Sequence, residues 1–271
     1  KRQMVTLSDV QVALGRIRDS IYVSPCARSD TFSQMTGNTV YLKLDNLQRT
    51  GAFKERGALN RILTLTDAEK ARGVVAASAG NHAQAVAYHA ASLGIPATVV
   101  MPVTTPFVKV AATEAYGAEV VSHGTIWDEA NEKAKELVET QGLTYVHPFD
   151  DEQLIAGQGT LGLEVVKDWP ELDAIIVPIG GGGLIAGASM AVKAHNPKCK
   201  VIGVESSDGP AMKRSVEAGS LQTIECNTII DGLRVRRCGV LNFSVVQRFV
   251  DDIVTLPDTD IFDAMLWTME R

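Results

Sequence analysis

The chain has 271 residues, 45% hydrophobic and 21% charged, an ordinary globular balance with room for a large core or two lobes. A formal net charge of −6 argues against a nucleic-acid-binding domain, which would carry a basic face. Cys26, Cys199, Cys226 and Cys238 form no CxxC pair and no zinc-finger spacing, so free thiols in a reducing, cytoplasmic compartment are expected, without a metal site.

Lys1 opens no charged-then-apolar leader, and residues 1–72 are irregular apart from a strand at Val40–Leu44. The first segment with chemical promise is Thr50-Gly51-Ala52-Phe53-Lys54-Glu55-Arg56-Gly57. Thr50 can cap a helix beginning near Phe53, which places Lys54 in its first turn. The helix field disfavours a cation there by ~0.3–1 kcal/mol. Together with partial burial beside Phe53, it should lower the amine's pKa and make it more nucleophilic. The plainer alternative is a solvated surface lysine flanked by Glu55 and Arg56.

From residue 73 strand and helix patterns alternate. Val74–Ala77, Thr98–Met101, Glu119–Ser122 and Tyr145–His147 read as strands; Asn81–Leu93, Pro106–Tyr116 and Trp127–Thr140 read as helices. Between the first strand and helix lies Ala77-Ser78-Ala79-Gly80-Asn81-His82. Small residues with Ser78 and Asn81 at a helix N-terminus make a cup for an anion such as a carboxylate. Ser78 lacks the preceding glycine of a nucleophile elbow, and His82 is expected to orient the loop rather than act as a base.

The second half continues with helices Gln158–Asp168 and Leu184–His195 and strands Ile175–Pro178, Val201–Glu205 and Ile253–Leu256. Most strands are continuous apolar runs, the mark of parallel strands covered on both faces. Ala174–Val192 is uncharged over 19 residues, but Pro178 and five glycines argue against a membrane span. Gly180, Gly181, Gly182 and Gly183 form instead a side-chain-free loop from strand to helix, where backbone N–H groups can turn onto a phosphate. Gly181, Gly183 and Ala186 also match G-x-G-x-x-A, with Glu205 ending the next strand, so a dinucleotide-binding unit is a rival reading.

The expected fold is α/β, with two lobes of doubly wound parallel sheet: 73–150 the smaller, 1–72 and 151–271 the larger. The irregular opening fits an eight-fold α/β barrel poorly.

GAFKERGA, ASAGNHAQ, VPIGGGGL, VIGVES and IIDGLRVR, in that order, resemble the fold-type II pyridoxal-phosphate enzymes, and within them the threonine/serine dehydratases. The resemblance runs from about Ile21 to the end and implies the tryptophan synthase β-subunit-like architecture. The dinucleotide reading leaves Lys54 and the Asn81 loop unexplained.

By this resemblance Lys54 would hold pyridoxal 5′-phosphate covalently, with Phe53 and Gly232 on either face of its ring. Gly180, Gly181, Gly182, Gly183 and Leu184 would bind its phosphate, and Asn81 its phenolic oxygen. Ser78, Ala79, Gly80, Asn81 and His82 would clasp the substrate carboxylate. The implied reaction is β-elimination of L-threonine or L-serine to 2-oxobutyrate or pyruvate and ammonia, in a homodimer or higher homo-oligomer without membrane or nucleic-acid partners. Racemases of the family carry a Ser where Ala79 stands, and Ala211 replaces the second acid of their metal site beside Glu205, so elimination is expected over racemisation. The family's Ser or Thr against the pyridine nitrogen lies beyond the helix matching Ile261–Glu270 and has no counterpart here. An inactive cofactor-binding module is therefore carried as an alternative, and no C-terminal regulatory domain is expected.

Overall fold

The computed structural model describes residues 4–270. The opening segment holds α1 (Leu7–Ile17), β1 (Cys26–Ser29), α2 (Asp30–Thr36), β2 (Val40–Lys43), α3 (Lys54–Leu63) and α4 (Asp67–Arg72). Strands β1 and β2 pair antiparallel around α2. Next come β3 (Val74–Ala77), α5 (Asn81–Ser92), β4 (Ala97–Met101), α6 (Phe107–Ala115), β5 (Glu119–Ser122), α7 (Trp127–Gln141) and β6 (Thr144–Tyr145). Their strands form one parallel sheet of order β5-β4-β3-β6. The remainder runs α8 (Glu152–Asp168), β7 (Ala174–Pro178), α9 (Gly183–His195), β8 (Lys200–Ser206), α10 (Ala211–Ala218), α11 (Val240–Phe249), β9 (Asp252–Leu256) and α12 (Asp258–Glu270). Here β7-β8-β9 form a second parallel sheet. The α/β fold is as expected.

Each sheet has its own apolar core. Val74, Ala76, Val99 and Met101 pack with Ala58, Ile62 and Val86 around the first sheet; Val177, Val201 and Ile253 pack with Ile179 and Ile185 around the second. Helix α8 lies against both α3 and α9, and glycines bring these axes close. A Cβ on Gly157 would come within 2.5 Å of the Arg56 carbonyl oxygen, and one on Gly187 within 2.4 Å of that of Ile155. Because α3 opens with Lys54 and α9 with Gly183, this tight stack fixes two of the chemical motifs against one helix.

Four expectations need correction. Helix α8 starts at Glu152, not Gln158: the Asp151 carboxylate caps it by accepting the Leu154 N–H. Gly157 weakens helix propensity just ahead of Gln158, and it is there because α3 packs close, with the Arg56 carbonyl oxygen 2.5 Å from where a Cβ would stand. Thr50 does not cap α3. The N-cap is Phe53, and Thr50 donates both its N–H and its hydroxyl to Glu55 Oε1. The last strand of the first sheet is Thr144–Tyr145, because the Phe149 and Asp150 N–H groups turn back onto His147 Nδ1. Finally, double-sided burial holds for Val74–Ala77, all four buried, but not for β7, where Ile176 is 68% exposed.

Among the described residues no helix is long and apolar enough to cross a membrane, and Cys26, Cys199, Cys226 and Cys238 are free thiols.

Candidate functional site

Lys54 is the first residue of α3. Its Nζ donates to the carbonyl oxygen of Pro148 at 2.6 Å and stands 5.6 Å from the centroid of the Phe53 ring. Among the described residues no carboxylate pairs with it. Burial therefore acts unopposed and pushes the ammonium's pKa down to about 8.

The residues after Lys54 are buried, which removes the surface-lysine alternative. Arg56 is 0% exposed. Its guanidinium grips Asp45 (2.7 and 2.9 Å) and Glu164 (2.6 and 2.9 Å) through paired bonds. Lys43 also donates to Glu164 at 2.6 Å. Burial alone would raise the Asp45 carboxyl's pKa, but Arg56, Ser24 and Gln48 outweigh it and hold that carboxyl below its usual range. This closed network clamps the start of α3 to α8 and to the 45–47 turn.

The glycine loop joins Pro178 to α9. Gly182 caps the helix at φ 93°, and the first intrahelical bond is Ala186 N–H to Gly182 O, 3.0 Å. The helix's opening N–H groups, at Gly183, Leu184 and Ile185, precede that bond and are available to an anion. A Cβ on Gly181 would fall 2.1 Å from the Phe149 ring, and one on Gly180 2.8 Å from the Gly232 carbonyl oxygen. Asn242 Nδ2 donates to both Gly181 O (2.8 Å) and Phe149 O (2.9 Å), and Gly239 N–H also donates to Gly181 O. Bare backbone is thus required here on two sides.

The Ser78–His82 loop sits at the C-terminal end of β3. Ser78 N–H donates to Val100 O, and Gly80 N–H to the Ser78 hydroxyl. Ser78, Ala79 and Gly80 are half-buried, while Asn81 opens α5 exposed. The His82 imidazole turns away from the loop and bonds Val146 O through Nε2 at 2.9 Å. Burial, then the Lys54 charge, push its pKa down to about 3.

The three motifs meet on Val146–Asp150, a segment the sequence reading took in part as the end of a strand, Tyr145–His147, and gave no role in the site. Val146 O takes His82, Pro148 O takes Lys54, the Phe149 ring covers Gly181, and Asp150 Oδ1 accepts Leu241 N–H at 2.9 Å. The only available signal was a His-Pro pair directly after a short strand. Glu205, expected beside an incomplete metal site, accepts the Met212 and Lys213 N–H groups at 2.8 Å and so serves the start of α10. Burial pushes its pKa up to about 7 despite those bonds.

A helix-borne buried amine, a glycine-built anion cup on α9 and a second cup on α5 define an α/β enzyme that holds a phosphate-bearing group near a lysine. The family model described as "Pyridoxal-phosphate dependent enzyme" matches residues 17–271, and the chain belongs to that family. It is similar to L-threonine ammonia-lyase of Thermotoga maritima, 45% identical over 269 residues, covering 99% of this chain and 67% of that one. It is also 46% identical to the catabolic L-threonine dehydratase TdcB of Escherichia coli strain K12 over 98% of this chain and 82% of that one. Among solved structures, maize serine racemase superposes with a TM-score of 0.94 at 37% identity, over 97% of this chain and 80% of that one. Pyridoxal phosphate suits the residues present: an amine of depressed pKa to bond its aldehyde, and a side-chain-free cradle on α9 for its phosphate.

Proposed function

We propose that the protein deaminates L-threonine, and L-serine, by β-elimination to 2-oxobutyrate or pyruvate and ammonia. The observation that carries this reading is Lys54, a buried amine of lowered pKa with no carboxylate partner among the described residues, bonded to Pro148 O. Gly180, Gly181, Gly182, Gly183 and Leu184 would receive the cofactor phosphate, Phe53 and Gly232 would flank its ring, and Asn81 would hold its phenolic oxygen. Ser78, Ala79, Gly80, Asn81 and the His82 backbone would take the substrate carboxylate.

The bound cofactor supplies an electron sink for the charge left when the substrate Cα loses its proton. Lys54 would take that proton as general base, which its lowered pKa permits near neutral pH. The N-terminus of α5 holds the carboxylate still, and the Arg56 network keeps α3 from shifting as the charge moves. The β-hydroxyl would leave as water, taking the proton Lys54 had accepted, and hydrolysis of the released enamine consumes one water and gives the 2-oxo acid and ammonia.

The likeness to maize serine racemase favours racemisation as a second reading. Racemisation needs a proton carrier on each face of the substrate, and the methyl group of Ala79 cannot be one. Relatives named for threonine at 45% and 46% identity support elimination.

The same reading takes residues 73–150 as a small lobe, supported by the β5-β4-β3-β6 sheet, and 1–72 with 151–271 as the large one. It also includes a homodimer or higher homo-oligomer in the cytoplasm. The exposed Phe262, Leu266 and Trp267 on α12 support a self-contact, and light scattering measures it.

The test is incubation of purified protein with L-threonine and with L-serine, followed by 2-oxo acid assay and chiral chromatography. The expected result is 2-oxobutyrate and pyruvate with little D-serine. No 2-oxo acid from either substrate, with cofactor bound, would leave only a binding module. D-serine at a rate comparable to pyruvate would favour the racemase.

A further inference from the structure

We propose that His82 is a positioning residue for Lys54: its imidazole holds the Val146 carbonyl and so fixes the near end of the turn whose Pro148 carbonyl takes the lysine's amine. Its kinetic consequence rests on the dehydratase reading; its structural basis does not.

His82 is 2% exposed. Its Nε2 must carry the proton, because the partner is the carbonyl oxygen of Val146 at 2.9 Å. Two residues along the same segment, Pro148 O accepts Lys54 Nζ at 2.6 Å. The intervening chain has little slack. His147 Nδ1 accepts both Phe149 N–H (3.1 Å) and Asp150 N–H (2.8 Å), closing a tight turn around Pro148. Phe149 O is held by Asn242, and Asp150 Oδ1 accepts the Leu241 N–H. The far end of the turn is therefore fixed by α11 and the near end by His82. Lys54 bonds to the carbonyl between them.

Packing alone does not account for a histidine here. Its Nδ1 is buried with no hydrogen-bond partner among the described residues, so the ring carries an unmet polar atom that leucine would not. What the histidine adds is the Nε2–H donor, and that donor goes only to Val146. The loop role expected for His82 then belongs to its backbone, and the side chain serves the lysine. The charged and titratable groups around this arrangement are Lys54 from α3 and His147 from the turn. Glu55 and Arg56, next along α3, are bonded away to Thr50 and to Asp45 and Glu164.

The test uses cofactor-free protein, so that it reads Lys54 directly. Trace acetylation with acetic anhydride at a series of pH values, followed by mass spectrometry of the Lys54 peptide, gives the amine's titration midpoint. Wild type should titrate near pH 8. H82L keeps the volume and loses the donor. The Pro148 carbonyl then drifts, the ammonium form loses its acceptor, and the midpoint should fall by about one pH unit, a tenfold change in proton affinity. H82Q, whose amide reaches the position of Nε2, should return to the wild-type midpoint. With cofactor restored and L-threonine as substrate, H82L should lose roughly tenfold or more in kcat with KM within about threefold, the pattern of a disturbed chemical step. If H82L does not fold, H82N replaces it: its amide stops short of Val146 and should displace the midpoint as H82L would. A folded H82L or H82N with the wild-type midpoint overturns the proposal. A displaced midpoint in a protein whose wild type releases no 2-oxo acid would leave the positioning intact and sink the dehydratase reading instead.

Discussion

Glu55 and His89 lie 3.4 Å apart in the interior, joining the residue after Lys54 to the helix that opens with Asn81. Both side chains are almost fully buried. Glu55 spends its other oxygen on Thr50, so one carboxylate ties α3, α5 and the 50–53 turn together. The lysine and the carboxylate cup are thereby held by one contact behind the site.

Burial alone would raise the Glu55 carboxyl's pKa, but the His89 ring beside it and the bonds from Thr50 outweigh it and hold that carboxyl below its usual range. A carboxylate whose folded pKa is depressed stabilises the fold above its unfolded pKa, and loses that contribution as pH falls through the folded value. Glu55→Gln should therefore cost about 1–3 kcal/mol near neutrality, the range for a hydrogen bond to a charged group. Urea midpoints should show the gap to wild type narrowing below about pH 4, where the unfolded carboxyl protonates. A gap that stays constant with pH would mean the charge of Glu55 is irrelevant.

Lys54 should be a stability liability in the cofactor-free protein. Its amine binds protons less tightly folded than unfolded, so the cost is full below about pH 8 and fades as pH rises toward the ordinary lysine value. Lys54→Met should abolish turnover yet stabilise the apo protein by on the order of 1–3 kcal/mol near pH 7. Thermal scans at pH 7 and pH 10 check this: the gain should shrink at the higher pH.

Gly181→Ala places a methyl group on the Phe149 ring, since even an ideal Cβ falls 2.1 Å from it. Either the ring or the loop must move, at a cost on the order of 1–3 kcal/mol. Affinity for pyridoxal phosphate, followed by its absorbance on titration, should drop markedly, while Gly37→Ala, far from any neighbour though at φ 69°, should leave it unchanged. Native affinity in Gly181→Ala would separate the loop from the phosphate.

Ala79→Ser tests the choice between elimination and racemisation. A hydroxyl at that position supplies the second proton carrier, so the ratio of D-serine to pyruvate formed from L-serine should rise. Chiral chromatography reads it directly, and an unchanged ratio would show that residue 79 does not face the substrate.

The strand–glycine–helix pattern at Ile175–His195 was legible in the sequence because four successive glycines have few other uses; Lys54 was legible only through the order of motifs it stands in, since Thr50, expected to set it at a helix start, bonds Glu55 instead. What was not legible depends on tertiary contact. The Val146–Asp150 turn gathers the motifs through backbone carbonyls, which no side-chain pattern announces. Arg56 and Glu55 look like surface charges until Asp45, Glu164 and His89, distant in sequence, close around them. The first turn of α8 was hidden by Gly157, whose reason is the nearness of α3.

The central claim is that Lys54 carries the cofactor, and borohydride reduction tests it most directly. Protein loaded with pyridoxal phosphate should be yellow, and reduction should fix the cofactor to the one peptide containing Lys54. Cofactor recovered on another lysine, or none retained by a folded protein, would contradict it.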